Sequence, residues 1–405
     1  MASSAPASAI GDFPPGLLKE PGDGFVQACR RYQDSLVYLL VNVGDGDTQV
    51  ILLPADQPSK RRRAVVVDVA TWGKLHALLE ALAAEDVAIL EPLDIPGLFP
   101  VVVATHPHSD HIGGMAKFLR QFKDQVDQFW EPGYYHPSPT YVETMVALEQ
   151  AHKIRRLQPT SGTTYFLGNV RLMALTPGIG LRSRFDSYGT EINDASIALK
   201  VEFPVSRIVS VPEGEVHNRR YLRLRDPWSL ILGADAQTTA WAQATVDFPQ
   251  LRAEHNPALR RELRAAMGAD ALRGDVLKIP HHASKHGINL ELVERVNPRN
   301  TLVSSVGGGG NYGFPHRVTL ESIREALQPS TTGRKPRLGD HVLGIHYTAA
   351  RVTTQDGRQH PLGTIAMLMR PGRGTKPRMW RFGDAPTDLI DLHTAREVKR
   401  LRGPG

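Results

Sequence analysis

The chain has 405 residues, of which 41% are apolar and 22% charged, a composition typical of a soluble globular protein. The 48 Lys and Arg residues against 42 Asp and Glu residues give a net charge of +6, which permits a polyanionic substrate without establishing one. A single cysteine excludes an intrachain disulfide and a cysteine-rich zinc finger. No apolar run reaches the roughly 18 residues of a membrane helix, and the start of the chain lacks a secretory signal. These features predict a cytoplasmic protein without a membrane segment.

The chain begins with a predicted disordered arm, which is followed by a hairpin. Residues 1–23 are rich in small residues and proline, a composition that favours disorder. Two apolar runs, over 36–43 and 48–53, predict strands. The glycines and aspartates of 44–47 between them favour a tight turn, so the two strands are expected to form a hairpin.

A strand, a helix and a second strand then lead to the most informative segment. Apolar β-branched residues predict strands over 64–69 and 101–104, and leucines at helical spacing predict an amphipathic helix over 73–84. Asp68 interrupts the first of these strands. A carboxylate in an apolar strand needs a polar partner, and a position beside a metal site would provide one.

The segment Thr105 to Gly114, THPHSDHIGG, carries four metal-competent side chains within six residues. Imidazole and carboxylate groups are usual zinc ligands, and a loop between a strand end and a helix is where α/β folds place their sites. His106 and His108 can point the same way and hold one ion, which leaves Asp110 and His111 to face a second. In the alternative, Asp110 only caps the next helix, but a cap needs one such residue and not four.

Two later strands also end in polar residues. The apolar strand over 228–232 is followed closely by Asp235, which bridges two ions or caps the next helix; the residues alone weigh these two roles evenly. The strand over 275–280 runs into His281 and His282. One of this pair can bind an ion while the other forms hydrogen bonds beside it, and His282 is favoured as the ligand.

The order of the elements predicts an α/β fold in which two mixed β-sheets are packed between helices. No period of 20–50 residues repeats, which excludes a solenoid or propeller. A single domain with inserted loops is expected over 24–385. Residues 386–405 are expected to form a basic C-terminal tail that includes a helix over 394–405.

These motifs together resemble the metallo-β-lactamase-fold hydrolases, whose αββα sandwich binds two metals at one edge. THPHSDHIGG is similar to the signature of that family. Further segments resemble the soluble hydrolase domain of the bacterial competence DNA-uptake channel (ComEC type) and its free-standing relatives. In chain order they are the Gly-Asp-Gly-Asp turn at 44–47, VVVDVA at 65–70, Asn-Asp-Ala-Ser at 193–196, LGADA at 232–236, DVLKIPHHAS at 275–284, SVGGGGNYGFPH at 305–316 and Gly-Thr-Ile at 363–365.

The resemblance implies a set of metal ligands for two divalent ions. Zinc is the expected metal and manganese the alternative. One ligand of the first ion departs from the wider family, because an aspartate stands in for a third histidine. The implied ligands are His106, His108 and Asp194 for the first ion, Asp110, His111 and His282 for the second, and Asp235 as the bridge between them.

The resemblance also implies hydrolysis by a hydroxide formed from water between the two metals. A phosphodiester, including nucleic acid, is the first candidate substrate, and the basic segments 219–225, 252–264 and 396–402 agree with it. The alternatives are hydrolysis of a small ester, lactone, thioester or amide, and a non-catalytic metal-binding scaffold. No membrane partner is expected, and the oligomeric state is left open. The candidate catalytic residues are Asp110, His281, Lys285 and Asn311.

Overall fold

The structure is a computed structural model. It describes residues 18–20, 22, 24–55, 59–184, 192–205, 207–208, 221–222, 227–250, 270–305, 312–328, 340–348, 351–353, 359–372, 375–383 and 389–399. The candidate catalytic residue Asn311 and the basic segment 252–264 lie outside these ranges. No helix within these ranges is long and apolar enough to cross a membrane.

The strands and helices of the described residues are named in chain order. The strands are β1 (Leu36–Leu40), β2 (Thr48–Leu52), β3 (Ala64–Val69), β4 (Val102–Val103), β5 (Gln128–Trp130), β6 (Arg155–Leu157), β7 (Thr164–Leu167), β8 (Val170–Ala174), β9 (Leu199–Phe203), β10 (Arg207–Ile208), β11 (Tyr221–Leu222), β12 (Trp228–Leu232), β13 (Val276–Lys278), β14 (Asn300–Val303), β15 (Ile345–Tyr347), β16 (Arg351–Thr353), β17 (Gln359–Pro361), β18 (Ile365–Met369), β19 (Arg378–Arg381) and β20 (Arg396–Glu397). The helices are α1 (Gly24–Arg31), α2 (Trp72–Ala83), α3 (Ser109–Ile112), α4 (Met115–Gln121), α5 (Pro139–Gln150), α6 (Ile179–Arg184), α7 (Thr238–Asp247), α8 (Leu290–Val296), α9 (Arg317–Leu327) and α10 (Asp340–Leu343).

Two mixed sheets form the centre of the fold. In the described part of the chain, a nine-stranded sheet has the order β20-β19-β18-β1-β2-β3-β4-β5-β6, and a seven-stranded sheet has the order β15-β14-β13-β12-β9-β8-β7. Strands β3 to β6 run parallel in the first sheet and β12 to β15 in the second, and the other neighbours are antiparallel. The predicted hairpin is confirmed, because β1 and β2 pair antiparallel. The helix predicted over 73–84 is α2.

Apolar side chains alternate along the strands between two layers. In β1, Leu36, Tyr38 and Leu40 pack in the cluster between the sheets, whereas Val37 and Leu39 pack in the cluster beneath the helices on the outer face. This alternation is the two-residue period of a strand. Helices α2, α4 and α5 cover the outer face of the nine-stranded sheet, and α7, α8 and α9 pack against the seven-stranded sheet. The predicted αββα sandwich is therefore confirmed.

The parallel halves of the two sheets bring several strand ends to one edge. Strands β3 and β4 lead to Asp68 and to the loop 105–114, while β12 and β13 lead to Asp235 and to the pair His281 and His282. Parallel neighbours end at the same edge of a sheet, and the two sheets face each other across the core. Groups that are far apart along the chain therefore meet at this edge.

The described part of the C-terminal tail joins the nine-stranded sheet. Strand β20 pairs with β19 at the edge of that sheet, so the helix expected over 394–405 is wrong for these residues. Their backbone groups form hydrogen bonds with a neighbouring strand instead of within a helical turn. Leu18 forms a β-bridge with Val398 beside them. The domain boundaries at 24 and 385 stay a prediction.

Candidate metal centre

Metal-competent side chains from both sheets converge at the shared edge. Asp235 lies in the middle, with its Oδ1 3.1 Å from His111 Nε2 and 3.6 Å from His282 Nε2. His282 Nε2 also lies 3.7 Å from Asp110 Oδ2. Donor atoms that each stand about 2.0–2.2 Å from a common ion are roughly 3–4 Å apart. The ligand atoms of the group lie within 4.8 Å of one another; its members are Asp110, His111, Asp235 and His282.

The other carboxylate oxygen of Asp235 faces two further histidines. Asp235 Oδ2 is 3.7 Å from His106 Nε2 and 3.7 Å from His281 Nε2. The His108 ring lies edge-on to the His106 ring, with their centroids 4.8 Å apart. The two carboxylate oxygens of Asp235 thus face different histidines, an arrangement that agrees with the bridging role, which stays a prediction.

Several donor atoms of this group are buried without a hydrogen bond. Within the described chain, His106 Nε2, His111 Nε2, His282 Nε2 and Asp235 Oδ1 have no hydrogen-bond partner, although His111 Nε2 and Asp235 Oδ1 are only 3.1 Å apart. Leaving a buried polar group unsatisfied costs about 1–3 kcal/mol. Four such atoms directed at one another are accounted for by a cation between them, so the residues fit a metal site.

The charge states of the group follow from burial and from its neighbours. Burial lowers the pKa of His106 well below its usual value, which leaves a neutral imidazole with a free lone pair. Burial also opposes the charge on His111, but Asp235 and Asp68 outweigh it and raise the pKa of His111 well above its usual value. Burial opposes ionisation of Asp235, yet the nearby histidines hold its pKa well below its usual value. A cation that binds here would replace the His111 proton as the counter-charge of Asp235.

Asp68 orients His111 from the end of β3. Its Oδ2 lies 2.7 Å from His111 Nδ1, and its Oδ1 accepts a hydrogen bond from the Thr105 N–H at 2.8 Å. The expectation that this carboxylate finds a polar partner beside the metal-competent loop is confirmed. Asp68 has a φ of 59°, in the left-handed region that Asp and Asn tolerate better than most residues.

Replacing Asp68 by asparagine is expected to lower zinc affinity by roughly 10–100-fold, the usual effect of removing a group that orients a metal ligand. Asparagine keeps the size and the left-handed backbone, but it removes the negative charge that holds His111 Nδ1–H. Titration of the metal-free protein with zinc against a chromophoric chelator measures the change. Asp124→Asn at an exposed position is the control and should leave the affinity unchanged. Equal affinities for the two variants would show that Asp68 does not serve the metal site.

The two adjacent histidines differ in their hydrogen bonds. His282 Nδ1 lies 3.0 Å from the backbone carbonyl oxygen of Ser304, which only accepts, so Nδ1 carries a proton and Nε2 is the nitrogen left to bind a metal. Burial opposes a positive charge on His282, but Asp235 and Asp110 outweigh it and raise the pKa of the ring, so a metal that binds Nε2 would displace a proton there. His281 Nδ1 lies 3.4 Å from Gln237 Nε2, which only donates, so the proton of His281 is on Nε2. The geometry favours His282 as the metal ligand and His281 as a hydrogen-bond donor, and both roles stay predictions.

The backbone is strained where these histidines lie. The φ angle is 50° at His281 and His282 and 64° at Ala283, and it is 47° at Ala234, next to Asp235. Each non-glycine residue in this region costs of order 1–3 kcal/mol, and such residues persist where the surrounding structure holds them, commonly at functional sites. Here the strain directs His281 and His282 toward Asp235 from consecutive positions.

The other predicted site residues do not belong to the convergent group. Asp194 is buried, and its Oδ1 accepts a hydrogen bond from the Ala240 N–H at the start of α7, at 3.0 Å. Lys285 is exposed, and its backbone N–H donates to His316 Nδ1 at 2.9 Å. Within the described residues, neither Asp194 nor Lys285 belongs to the group of four. Their predicted roles, and that of Asn311, stay predictions.

Three residues beside the site were missed by sequence reasoning. Asp47, interpreted as a turn residue, is fully buried, forms an ion pair with Lys278 and accepts a hydrogen bond from Ser304 Oγ at 2.6 Å. Burial opposes ionisation of Asp47, but Lys278 outweighs it and lowers the pKa of the carboxyl. Lys278 is a charge within an apolar strand, the same signal that marked Asp68, so the sequence could have identified it. Ser304 carries no such signal.

A family comparison agrees with this fold and site. Residues 60–156, which include β3 and the loop of metal-competent histidines, match the family model of the metallo-beta-lactamase superfamily. The chain therefore contains a metallo-β-lactamase superfamily domain and has the fold of that superfamily. No curated protein sequence matches the chain.

Several solved structures are similar to the chain at low identity. CmlA, a diiron β-hydroxylase from Streptomyces venezuelae, matches with a TM-score of 0.35 and 12% identity, over 73% of this chain and 50% of that chain. The metallo-beta-lactamase fold protein YhfI from Bacillus subtilis matches with a TM-score of 0.33 and 10% identity, over 67% of this chain and 86% of that chain. A diphosphatase from the PhnP family matches with a TM-score of 0.32 and 12% identity, over 77% and 94%. The chain thus spans about half the length of CmlA.

Proposed function

We propose that this protein is a metal-dependent hydrolase that cleaves phosphodiesters. The observation that carries the proposal is the cluster of buried, unpartnered donor atoms around Asp235, to which both sheets contribute. Divalent cations bound there would supply Lewis acidity, which polarises the oxygen of the scissile group and acidifies a water. The relationship to the ComEC-type domain, and nucleic acid as the natural substrate, belong to the same proposal.

The charge of the site supports an anionic substrate. Two divalent cations would bring four positive charges, against the three carboxylates of Asp68, Asp110 and Asp235. The charge of Asp47 is already balanced by Lys278. A net positive site attracts a phosphodiester more strongly than a neutral ester, and the net charge of +6 on the chain acts in the same direction.

Two side chains of the site are accessible to a substrate. Asp110 is 33% exposed and can orient a nucleophilic water beside His282. His281 is 16% exposed and directs its Nε2–H toward the Asp235 side of the site. A hydrogen bond from this N–H to a substrate oxygen would stabilise the negative charge that develops there.

The proposal is tested with zinc- or manganese-loaded protein, bis-p-nitrophenyl phosphate, and single- and double-stranded DNA. We expect cleavage of the small phosphodiester and of at least one DNA. The variant Asp110→Ala/His111→Ala lacks two donors of the convergent group and should be inactive. Elemental analysis of both proteins, with about two metals expected in the wild type, ties the activity to the metal.

Different outcomes point to the alternative functions. Hydrolysis of p-nitrophenyl acetate without phosphodiester cleavage would move the assignment to small esters, lactones, thioesters or amides. Bound metal without any hydrolysis would favour the scaffold. DNA cleavage that weakens steeply between 50 and 200 mM salt, roughly as expected for several phosphate contacts, would support nucleic acid as the substrate.

A further inference from the structure

We propose that Asp47 holds the Ser304 hydroxyl as a hydrogen-bond acceptor, so that this hydroxyl cannot oppose the Nδ1–H tautomer of His282 that the Ser304 carbonyl oxygen favours. Asp47 thereby controls metal affinity at the convergent group. The inference rests on the metal centre of the proposed function. It assigns a positioning role to a buried ion pair that contacts no substrate-accessible surface.

A continuous line of contacts joins the ion pair to the metal-competent histidine. His282 Nδ1 lies 3.0 Å from both the carbonyl oxygen and the Oγ of Ser304. Ser304 Oγ donates a hydrogen bond to Asp47 Oδ1 at 2.6 Å, and Asp47 Oδ2 pairs with the Lys278 ammonium. All four residues are buried.

The direction of each hydrogen bond follows from the number of protons available. A carboxylate only accepts, so the single proton of the Ser304 hydroxyl is committed to Asp47. The hydroxyl therefore cannot donate to His282, and His282 Nδ1 must itself donate to Ser304. The hydroxyl and the Ser304 carbonyl oxygen then both accept from Nδ1–H, and Nε2, which is directed at Asp110 and Asp235, is the nitrogen that can bind a metal.

Lys278 completes this arrangement from the seven-stranded sheet. Its ammonium has donors only, so it keeps Asp47 ionised and an acceptor. It also lies 3.4 Å from the carbonyl oxygen of Ala234, the residue before Asp235. The Asp47 backbone N–H donates to the carbonyl oxygen of Asp110 at 3.0 Å. The ion pair thus contacts one segment from each sheet. One segment carries Asp110 and His111, and the other carries Asp235.

In the alternative, the ion pair only stabilises the sandwich. Asp47→Asn distinguishes this stabilising role from the positioning role, because it reverses the hydrogen bonds while keeping the size of the side chain. Lys278 can only donate, so the asparagine oxygen faces Lys278 and its amide N–H faces Ser304 Oγ. The Ser304 proton is then free to donate to His282 Nδ1. The proton of a neutral His282 moves to Nε2, where it blocks metal coordination.

The test compares Asp47→Asn, Ser304→Ala and the double variant Asp47→Asn/Ser304→Ala. Asp47→Asn should lower zinc affinity by about tenfold or more, within the range for groups that orient a metal ligand. Ser304→Ala should bind zinc almost as the wild type does, because the Ser304 carbonyl still accepts from Nδ1–H. The double variant lacks the Ser304 hydroxyl, so no hydroxyl proton can be donated to His282 Nδ1. It should therefore recover the zinc affinity of Ser304→Ala. Zinc titration of the metal-free proteins measures these affinities.

The recovery distinguishes positioning from stability. Asp47→Asn and the double variant both leave Lys278 without its counter-charge, so a purely structural role predicts the same weak affinity for both. That result, or an unchanged affinity in Asp47→Asn, would overturn the inference.

Nitrogen-15 NMR of the histidine rings gives a second readout that needs no metal. The spectra are recorded above the pKa of His282, which Asp235 and Asp110 raise against the effect of burial, so that the ring is neutral. The wild type and Ser304→Ala should then both show His282 protonated on Nδ1, and Asp47→Asn should shift the proton toward Nε2. An Nε2–H tautomer in the wild type would overturn the inference even if Asp47→Asn does not fold. If the wild type binds neither zinc nor manganese, the proposed function fails, while the tautomers still decide the role of Asp47.

Discussion

Asp235→Asn is expected to abolish stoichiometric metal binding and to lower phosphodiester hydrolysis by roughly 10³-fold, or about 4 kcal/mol of transition-state stabilisation. Both oxygens of this carboxylate lie close to histidines, with Oδ1 near His111 and His282 and Oδ2 near His106 and His281. Asparagine preserves its volume but removes the negative charge, and its amide N–H would face a histidine that is meant to bind a cation. The effect should therefore exceed that of Asp68→Asn, which alters the orientation of one ligand only.

Metal content after desalting and kcat/KM for bis-p-nitrophenyl phosphate measure the effect of Asp235→Asn. Glu85→Gln makes the same change of charge at an exposed position and should leave both values unchanged. Retention of two metals by Asp235→Asn would remove the bridging role. Full metal loss with unchanged hydrolysis would instead separate the activity from this site.

The features of the fold that the sequence predicts correctly are those with a local pattern, and patterns of the same kind mark the residues of the candidate site. The strand periodicity and the alternation of apolar runs led to the sandwich, and THPHSDHIGG identified the loop because four metal-competent residues in six cannot be explained by one cap. Asp235 and His282 were identified because each follows a buried strand. The structure brings them to His111 within the distances of a metal site.

The features that the sequence missed depend on contacts between distant segments. Asp47 and Lys278 are 231 positions apart, and nothing near either residue indicates that the start of β2 in one sheet faces the end of β13 in the other. The surroundings of Asp194 also depend on a distant segment. Its position along the chain suggests a ligand, and the structure shows that its Oδ1 accepts a hydrogen bond from the Ala240 N–H, one of the unpaired N–H groups at the start of a helix, so the ligand role stays a prediction. The tail illustrates the same limit, since its pairing with β19 overrides its helical pattern.

The glycines of THPHSDHIGG are required for space rather than for conformation. Gly113 and Gly114 have ordinary helical angles, with φ of −55° and −99°, which any residue can adopt. A Cβ on Gly114 would instead lie 2.5 Å from the Trp72 backbone nitrogen and 2.9 Å from Val69 Cγ1. The Gly114 N–H also donates to the Val69 carbonyl oxygen at 2.7 Å. The loop can therefore lie against the end of β3 only because this side chain is absent.

Gly114→Ala is expected to destabilise the fold by about 3 kcal/mol, at the upper end of the usual cost of overpacking, because backbone atoms and not a flexible side chain must move. Movement of the loop away from β3 would also separate His111 from Asp68, so zinc affinity should fall together with stability. The matched control is Gly73→Ala in α2, where an added Cβ meets nothing within 4 Å. Alanine there should stabilise the protein, by up to about 1 kcal/mol, because it favours the helix. Denaturant unfolding measures the stability of both variants, and zinc titration measures their metal affinity. Equal stabilities would mean that the loop accommodates the methyl group. Close approach to β3 would then not be what holds His111 in place.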